Sequence, residues 1–553
     1  MKVKLQFASL VTLGLLSSFV IAIILAVTFF AGFIGWEWLI GLTIFFNFLM
    51  WLVGPWFNDL IYKWLYKMEF YTYDQIKDKE YMKFVKKICD EHKIKVPKFG
   101  IIKDQNPTAF TYGSASYNAR IILTEGLFTY LNEKELEAVV AHELGHIINK
   151  DFIIMTVAAT LLSLLYEFYV IFARARSRSA SYGRMMKKGE KKGGGYLILI
   201  GYVSLLFYYV GTYVLLYLSR LREYYADEFA AKATGDANLL SSALIKIAYG
   251  IATVPDTEKT AHLLNNTRAQ GIFDFKAAKE TGLAYQNSTS HKGLLEKALL
   301  FDLVNPWAWI MQLSSTHPLV GRRIERLCTL SSSPAFDFES IKQKEVDTKR
   351  LYKGFFRDLF VHYSVKLTVV FYLVLVLVMV LQGIPLSPVI GYSLILLIVV
   401  FSFMKLQYRY PKKKFHSTTV LDCMADIYAS PVRGKPVQLD GKAVGRGQAG
   451  YVFGEDMIFQ DKTGIMYLNY ESGIPILGNF FFAWKKLEKM LQKQATAAGW
   501  FVRGATHHLE LYRFTVGSSL IKSYVRFWYA FGLVFFSGLI IGVTSMLINL
   551  FVG

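Results

Sequence analysis

Cysteine is nearly missing from this chain: Cys89, Cys328 and Cys423 are three among 553 residues, far apart and forming no CxxC pair. That excludes a disulfide framework and a thiolate metal site, and it suits a reducing compartment. Charge is thin as well, at 19% against 53% apolar residues. It is missing altogether from several runs longer than the roughly 18 residues that mark a membrane span. Acidic residues fall short of basic ones, 42 against 62, leaving a formal charge of +20. In a soluble chain that surplus would point to nucleic acid. Beside so many apolar runs it points to cytoplasmic loops and anionic lipid headgroups, with no nucleic acid partner. No cleavable leader is expected, because the first apolar run continues well past signal length.

Leu5 to Trp36 carries no charge, and after Glu37 the run Trp38–Asn58 is again uncharged, with Trp38, Trp51 and Trp56 as interface anchors. Joined by the short Gly35-Trp36-Glu37 link, residues 1–58 read as a transmembrane hairpin that returns the chain to the side of Met1–Lys4. Two further apolar runs, 152–173 and 193–219, fall inside a segment 59–365. Leu367–Met404 is 38 residues without charge, too long for one span, and Gly383, Pro385 and Pro388 break it into a second hairpin, 366–404. A last span covers 527–552. These seven runs make a multi-pass α-helical membrane protein, placed in the cell's inner or plasma membrane. Residues 415–520 differ in character: Val437–Val444, Tyr451–Phe459, Thr463–Leu468, Trp500–Val502 and His508–Phe514 read as short strands, and Phe482–Ala495 as one amphipathic helix. A small C-terminal β-rich domain is expected there.

Chemistry concentrates at Ala141-His142-Glu143-Leu144-Gly145-His146. Asn132 as N-cap with Glu135 three residues into the helix, and Leu136, Val139, Val140, Leu144 and Ile147 at helical spacing, put this motif on a helix. Histidines four apart share a face and can reach one ion, and Glu143 beside them can take a proton from water. A third ligand is sought in Ser219–Ala231, where Glu223 and Asp227 are also four apart. One can ligate while the other orients a histidine, and Asp227 is the preferred partner of His142 or His146. One zinc ion per chain is the expected cofactor. At 1.5 Å per helical residue, His146 lies roughly 9 Å before the apolar run 152–173, and Glu223 about 6 Å after the run 193–219. The site therefore belongs at the headgroup level.

One segment resists this layout. The loop Arg174–Lys192 carries eight cations, and it falls outside if both flanking runs span fully, against the positive-inside rule. A shallow, non-spanning pair of helices would remove the conflict and lessen the cost of Glu167 within the first run.

The run Glu135–Val140 leading into the HELGH motif, followed by Arg222-Glu223-Tyr224 and Ala226-Asp227, resembles the HtpX-type membrane-embedded zinc metallopeptidases, which include the CAAX prenyl endoproteases. Pro107–Gly113 resembles that family's Pro-Asn-Ala-Phe-x-x-Gly strand, with Thr108 in place of the Asn. Thr316-His317-Pro318 followed by Arg322–Leu327 resembles its His-Pro-Pro segment, with Leu319 in place of the second proline. The resemblance covers about residues 1–330. It implies a mainly α, gluzincin-type protease domain with His142, His146 and Glu223 as zinc ligands and Glu143 as general base. By the same carry-over His317 and Arg323 would stabilise the transition state. A helix over Tyr73–His92 and strands at Lys98–Lys103, Phe110–Tyr112 and Ala119–Thr124 precede the motif. Thr108, Ala109, Phe110 and Gly113 would bind an extended peptide by edge pairing. The polar stretch Pro255–His291 could form a lid.

The resemblance further implies an endopeptidase acting on membrane or misfolded polypeptides at the cytoplasmic face of the membrane. Cleavage of prenylated C-terminal peptides is a second reading, though that branch has more spans before its zinc helix than the two here. A scaffold with a structural zinc site is a third, and such a site has no need of Glu143.

Overall fold

The computed structural model describes residues 2–31, 36–174, 194–253, 292–384, 388–446, 456–504 and 507–552. The basic loop beyond Arg174 and the lid candidate 255–291 lie outside the described residues. Seven helices among those described are long and apolar enough to cross a membrane. The chain divides into two compact units, one of residues 1–250, 263–275 and 312–335, the other of 251–262, 276–311 and 336–553.

The first unit holds four of the seven: α1 (Lys2–Ala31), α2 (Trp36–Tyr66), α4 (Asp151–Tyr169) and α5 (Gly194–Thr234), with α3 (Glu133–Ile148) and α6 (Val320–Cys328) outside the apolar bundle. Leu16, Val20 and Val27 of α1 pack on Leu162, Leu165 and Phe168 of α4, and Phe19 stacks on Phe207 of α5 at 4.5 Å. α2 keeps Phe45, Phe46, Phe48 and Met50 exposed, the mark of a lipid-facing surface. Glu167 in α4 is not stranded there, because the Thr43 hydroxyl of α2 donates to it at 2.5 Å.

Past the bundle, α2 continues to brace a four-stranded sheet of order β1-β2-β4-β3: β1 (Glu69–Tyr71), β2 (Lys98–Ile102), β3 (Ala109–Tyr112) and β4 (Arg120–Thr124). Only β2 and β4 run parallel; the other pairs are antiparallel. Asp59 of α2 accepts from the Arg120 fork and from the Tyr112 hydroxyl at 2.8 Å, and Tyr62 packs on Phe110. The helix expected over Tyr73–His92 is two, Tyr73–Ile76 and Glu80–Glu91.

In the second unit, α7 (Thr348–Leu381), α8 (Pro388–Arg409) and α9 (Val525–Val552) carry a closed β-barrel. Its strands are β5 (Lys435–Arg446), β6 (Met457–Gln460), β7 (Ile465–Asn469), β8 (Gln494–Arg503) and β9 (His507–Val516). Each is hydrogen-bonded in the ring β5-β6-β7-β9-β8-β5, with only β7 and β9 parallel. A helical segment between the third and fourth strands completes the arrangement of an OB-fold barrel. The single amphipathic helix expected over Phe482–Ala495 is replaced by an α turn (Leu477–Phe481), a π turn (Phe482–Leu487) and a 3₁₀ turn ending at Met490. Gln494 and Ala495 already pair with Lys442 and Gly441, so ladder formation overrides local helical pattern. Tyr410, Trp500 and Tyr529 join barrel to α8 and α9, with ring centroids 4.9 and 5.3 Å apart.

Candidate metal centre

α3 begins as its sequence dictates. Asn132 Oδ1 accepts from Glu135 N at 2.9 Å while Glu135 Oε2 accepts from Asn132 N at 3.0 Å. The helix is buried nearly all round, with Val139, Val140, Ala141 and Leu144 fully enclosed. Gly145, inside the motif, is what lets α5 approach: a Cβ there would sit 3.2 Å from Ala226 Cα. That close approach brings Glu223 alongside the two histidines.

His142 Nε2 and His146 Nε2 face each other across 3.3 Å. Glu223 bridges them, Oε2 lying 3.5 Å from His142 Nε2 and Oε1 3.5 Å from His146 Nε2. A tetrahedron whose corners lie ~2.0–2.1 Å from zinc has edges of about 3.3–3.4 Å, so these donor atoms are spaced as zinc ligands are. Two further observations fit a cation. Glu143 Oε1 and Glu223 Oε2 are buried without a hydrogen-bond partner, a costly state that a metal and its water relieve. Burial alone would depress the His142 imidazole, yet Asp227 and Glu223 outweigh it and lift it to about 9. The pocket favours positive charge.

The remaining ring nitrogens are held by carboxylates. Asp227 Oδ1 lies 2.9 Å from His142 Nδ1, and Asp151 Oδ2 2.7 Å from His146 Nδ1, which fixes both rings with Nε2 toward the ligand cluster. Asp227 thus meets His142, one of the two partners expected for it. Asp151 was not anticipated. The chain reverses at Lys150, in left-handed backbone with φ +58°, and the carboxylate swings under His146 from the first turn of the next helix. An acid opening an apolar run directly after the second histidine was the available signal. Thr111 is the other unanticipated residue: its hydroxyl donates to Glu143 Oε2 at 2.6 Å. Burial raises the Glu143 carboxyl above its ordinary range, while the two imidazoles and Thr111 pull the other way.

The other expected residues divide. His317 is buried with Nε2 3.7 Å from Glu223 Oε2 and Nδ1 2.9 Å from the Thr316 hydroxyl. It belongs to the cluster. Arg323 is fully buried and directs its fork at Asp227, Nε at 2.9 Å and Nη2 at 2.6 Å, so it meets the carboxylate behind His142 in place of the expected developing charge. Thr108 is tied to Thr124, its N–H donating to Oγ1 at 2.9 Å. Phe110 is enclosed by Tyr62, Met68 and Ile122. At Gly113 a Cβ would come within 3.0 Å of Ala119 Cα, so glycine there serves close chain approach. The side chains of Ala109, Phe110 and Tyr112 are therefore core and only Thr111 turns toward the site; what the strand can offer a ligand is chiefly main chain, since β3 is the last strand on its side of the sheet.

Fold and site together define a zinc metallopeptidase built on membrane helices. Residues 75–331 match the model of Peptidase family M48. A protease HtpX homolog of Pyrococcus furiosus is 31% identical over 318 residues, 57% of this chain and 93% of the relative. One from Aquifex aeolicus is 29% identical over 280 residues, 50% of this chain and 79% of the relative. The chain belongs to peptidase family M48, with the HtpX homologues. A solved structure, "Crystal Structure of S. mikatae Ste24p", is 20% identical, covering 44% of this chain and 59% of that one, with a TM-score of 0.29.

Proposed function

We propose that this protein is an integral-membrane endopeptidase that cuts membrane or misfolded polypeptides at the cytoplasmic face, with one zinc per chain held by His142, His146 and Glu223. The observation that carries the reading is the hydrogen bond from Thr111 to Glu143, because it ties the edge strand to the carboxylate beside the ligand set. A structural site has no use for such a carboxylate. Zinc at these ligands would acidify a water and polarise the scissile carbonyl.

The chain's own residues supply the rest. A substrate segment adds to the free edge of β3, which holds the backbone extended over the ligand cluster. Glu143, lifted by burial, accepts the proton of the attacking water and returns it to the leaving amine. His317 stands over Glu223 where its Nε2 can donate to the carbonyl oxygen as negative charge builds. Arg323 and Asp227 act behind His142, holding the imidazole in place. Cytoplasmic catalysis rests on charge: Lys63 and Lys67 follow the first hairpin, and Lys412, Lys413 and Lys414 follow the second.

The test is Glu143→Gln in the full-length protein, read by zinc content and by cleavage of casein. Zinc should stay bound while cleavage falls about 10²–10⁴-fold, the contribution of a positioned base. Cleavage at the parent rate would remove the proposal.

A further inference from the structure

The second unit contains a cavity of about 890 Å³ between the stem of α7, the end of α8 and the foot of the barrel. Seven Lys or Arg side chains line it against three Asp. The acids are already engaged by neighbours in the cavity wall. Asp347 caps α7 by accepting from Arg350 N at 3.1 Å, Asp426 pairs with Lys435 at 2.7 Å, and Asp358 accepts from Trp307 Nε1 at 3.2 Å and from the Tyr408 hydroxyl. Lys349, Lys353 and Lys413 have no side-chain partner among the described residues. A concave site with this surplus selects an anion rich in acceptor oxygens.

Position identifies the anion. The uncharged part of α7, Leu367–Leu381, is 15 residues long. A hydrocarbon core needs about 20, so it reaches roughly five residues past Leu367, with Lys366 snorkelling. The cavity then opens one turn above the hydrocarbon, among headgroups. Tyr352, Phe356, Phe360 and Tyr363 are 47%, 62%, 52% and 43% exposed and follow one another at helical spacing from the cavity into the span. A soluble phosphate has no use for that stripe; an acyl chain does.

We propose that this cavity binds the phosphate headgroup of an anionic glycerophospholipid, with Lys349, Lys353 and Lys413 around the phosphate and the acyl chains along the Phe356–Phe360 stripe. Full-length protein in detergent is titrated with phosphatidylglycerol, phosphatidylcholine or inorganic phosphate while its unfolding midpoint is followed. Phosphatidylglycerol should raise the midpoint at concentrations where phosphatidylcholine does not. The triple variant Lys349→Gln, Lys353→Gln, Lys413→Gln should bind it about a hundredfold more weakly, and arginine at the same positions should restore binding. The triple variant should melt like the parent before lipid is added, which separates lost binding from lost fold. Phe356→Ser with Phe360→Ser should weaken phosphatidylglycerol and leave inorganic phosphate unchanged. Equal response to the two lipids, or an undiminished response in the triple variant, would overturn the site. A phosphate response as strong as that to phosphatidylglycerol, with the stripe variant silent, would overturn the lipid assignment.

Discussion

At the residue scale, the metal centre is a set of four carboxylates assigned to different tasks by what touches them. Glu223 faces both Nε2 atoms, Asp227 and Asp151 hold the opposite ring nitrogens, and Glu143 accepts from Thr111. Asp151→Asn keeps the shape of the side chain but removes its charge, and zinc affinity should fall about 10–100-fold, as measured with a competing chelator. Asp227→Asn should cost at least as much, because it also leaves the buried Arg323 guanidinium without its counter-charge. The sequence made His142, Glu143 and His146 legible through helical spacing, and Asp227 through its separation of four from Glu223. Asp151 escaped because periodicity carries no information across a helix break. Thr111 escaped because a strand-to-helix contact has no spacing to read.

At the element scale, Gly145 governs how α3 and α5 meet. Gly145→Leu would place a side chain against Ala226 and Phe229, so the helices must separate and Glu223 withdraws from the histidines. Zinc content after purification should drop to a small fraction of the parent's while the barrel melts unchanged. The barrel has its own acid sensitivity. Burial, with the Arg503 charge beside it, pulls the His507 imidazole down to about 3. Its unfolded value is about 6.5, so the neutral ring contributes stability above that pH and loses it as pH falls toward 3. Burial would raise Glu510, but the His508 hydrogen bond and the Arg409 charge dominate and bring it to about 2, which adds a second loss below about 4.3. Protection factors of barrel amides, which discount the slower intrinsic exchange in acid, should fall in two stages on acidification, and His507→Leu should remove the upper one. Alternation exposed β5, β7 and β9 in the sequence. Most of β8 stayed hidden, because Ala495, Ala497, Ala498 and Gly499 have little strand preference and are strand only through the ring that closes on both sides of them.

At the scale of the whole molecule, seven spans could be read from composition, since a helix that long and without charge finds in lipid the surroundings that suit it on every face. Orientation is a separate matter and has a direct measurement. Tyr117 is 67% exposed in the sheet-bearing region of the first unit, and native Cys89 and Cys423 are buried. With Cys328 replaced by serine, Tyr117→Cys should react with an impermeant maleimide only after the cytoplasmic side is opened. Reaction from outside in intact cells would place catalysis on the other face.

The longest element adds a mechanical property to this picture. α5 is a single helix of 41 residues, about 60 Å, whose first half is apolar enough to lie in lipid and whose second half carries Glu223. Glu223 stands roughly 44 Å from the first end, so a lean of about 5° displaces its carboxylate by about 4 Å, far beyond the ~0.2 Å that coordination tolerates. Bilayers thinner or thicker than the helix's apolar length press it to lean. Packing against α1 and α4 resists that torque, and metal retention becomes a gauge of bilayer thickness: zinc should leave faster from nanodiscs of short- or long-chain lipid than from those that match.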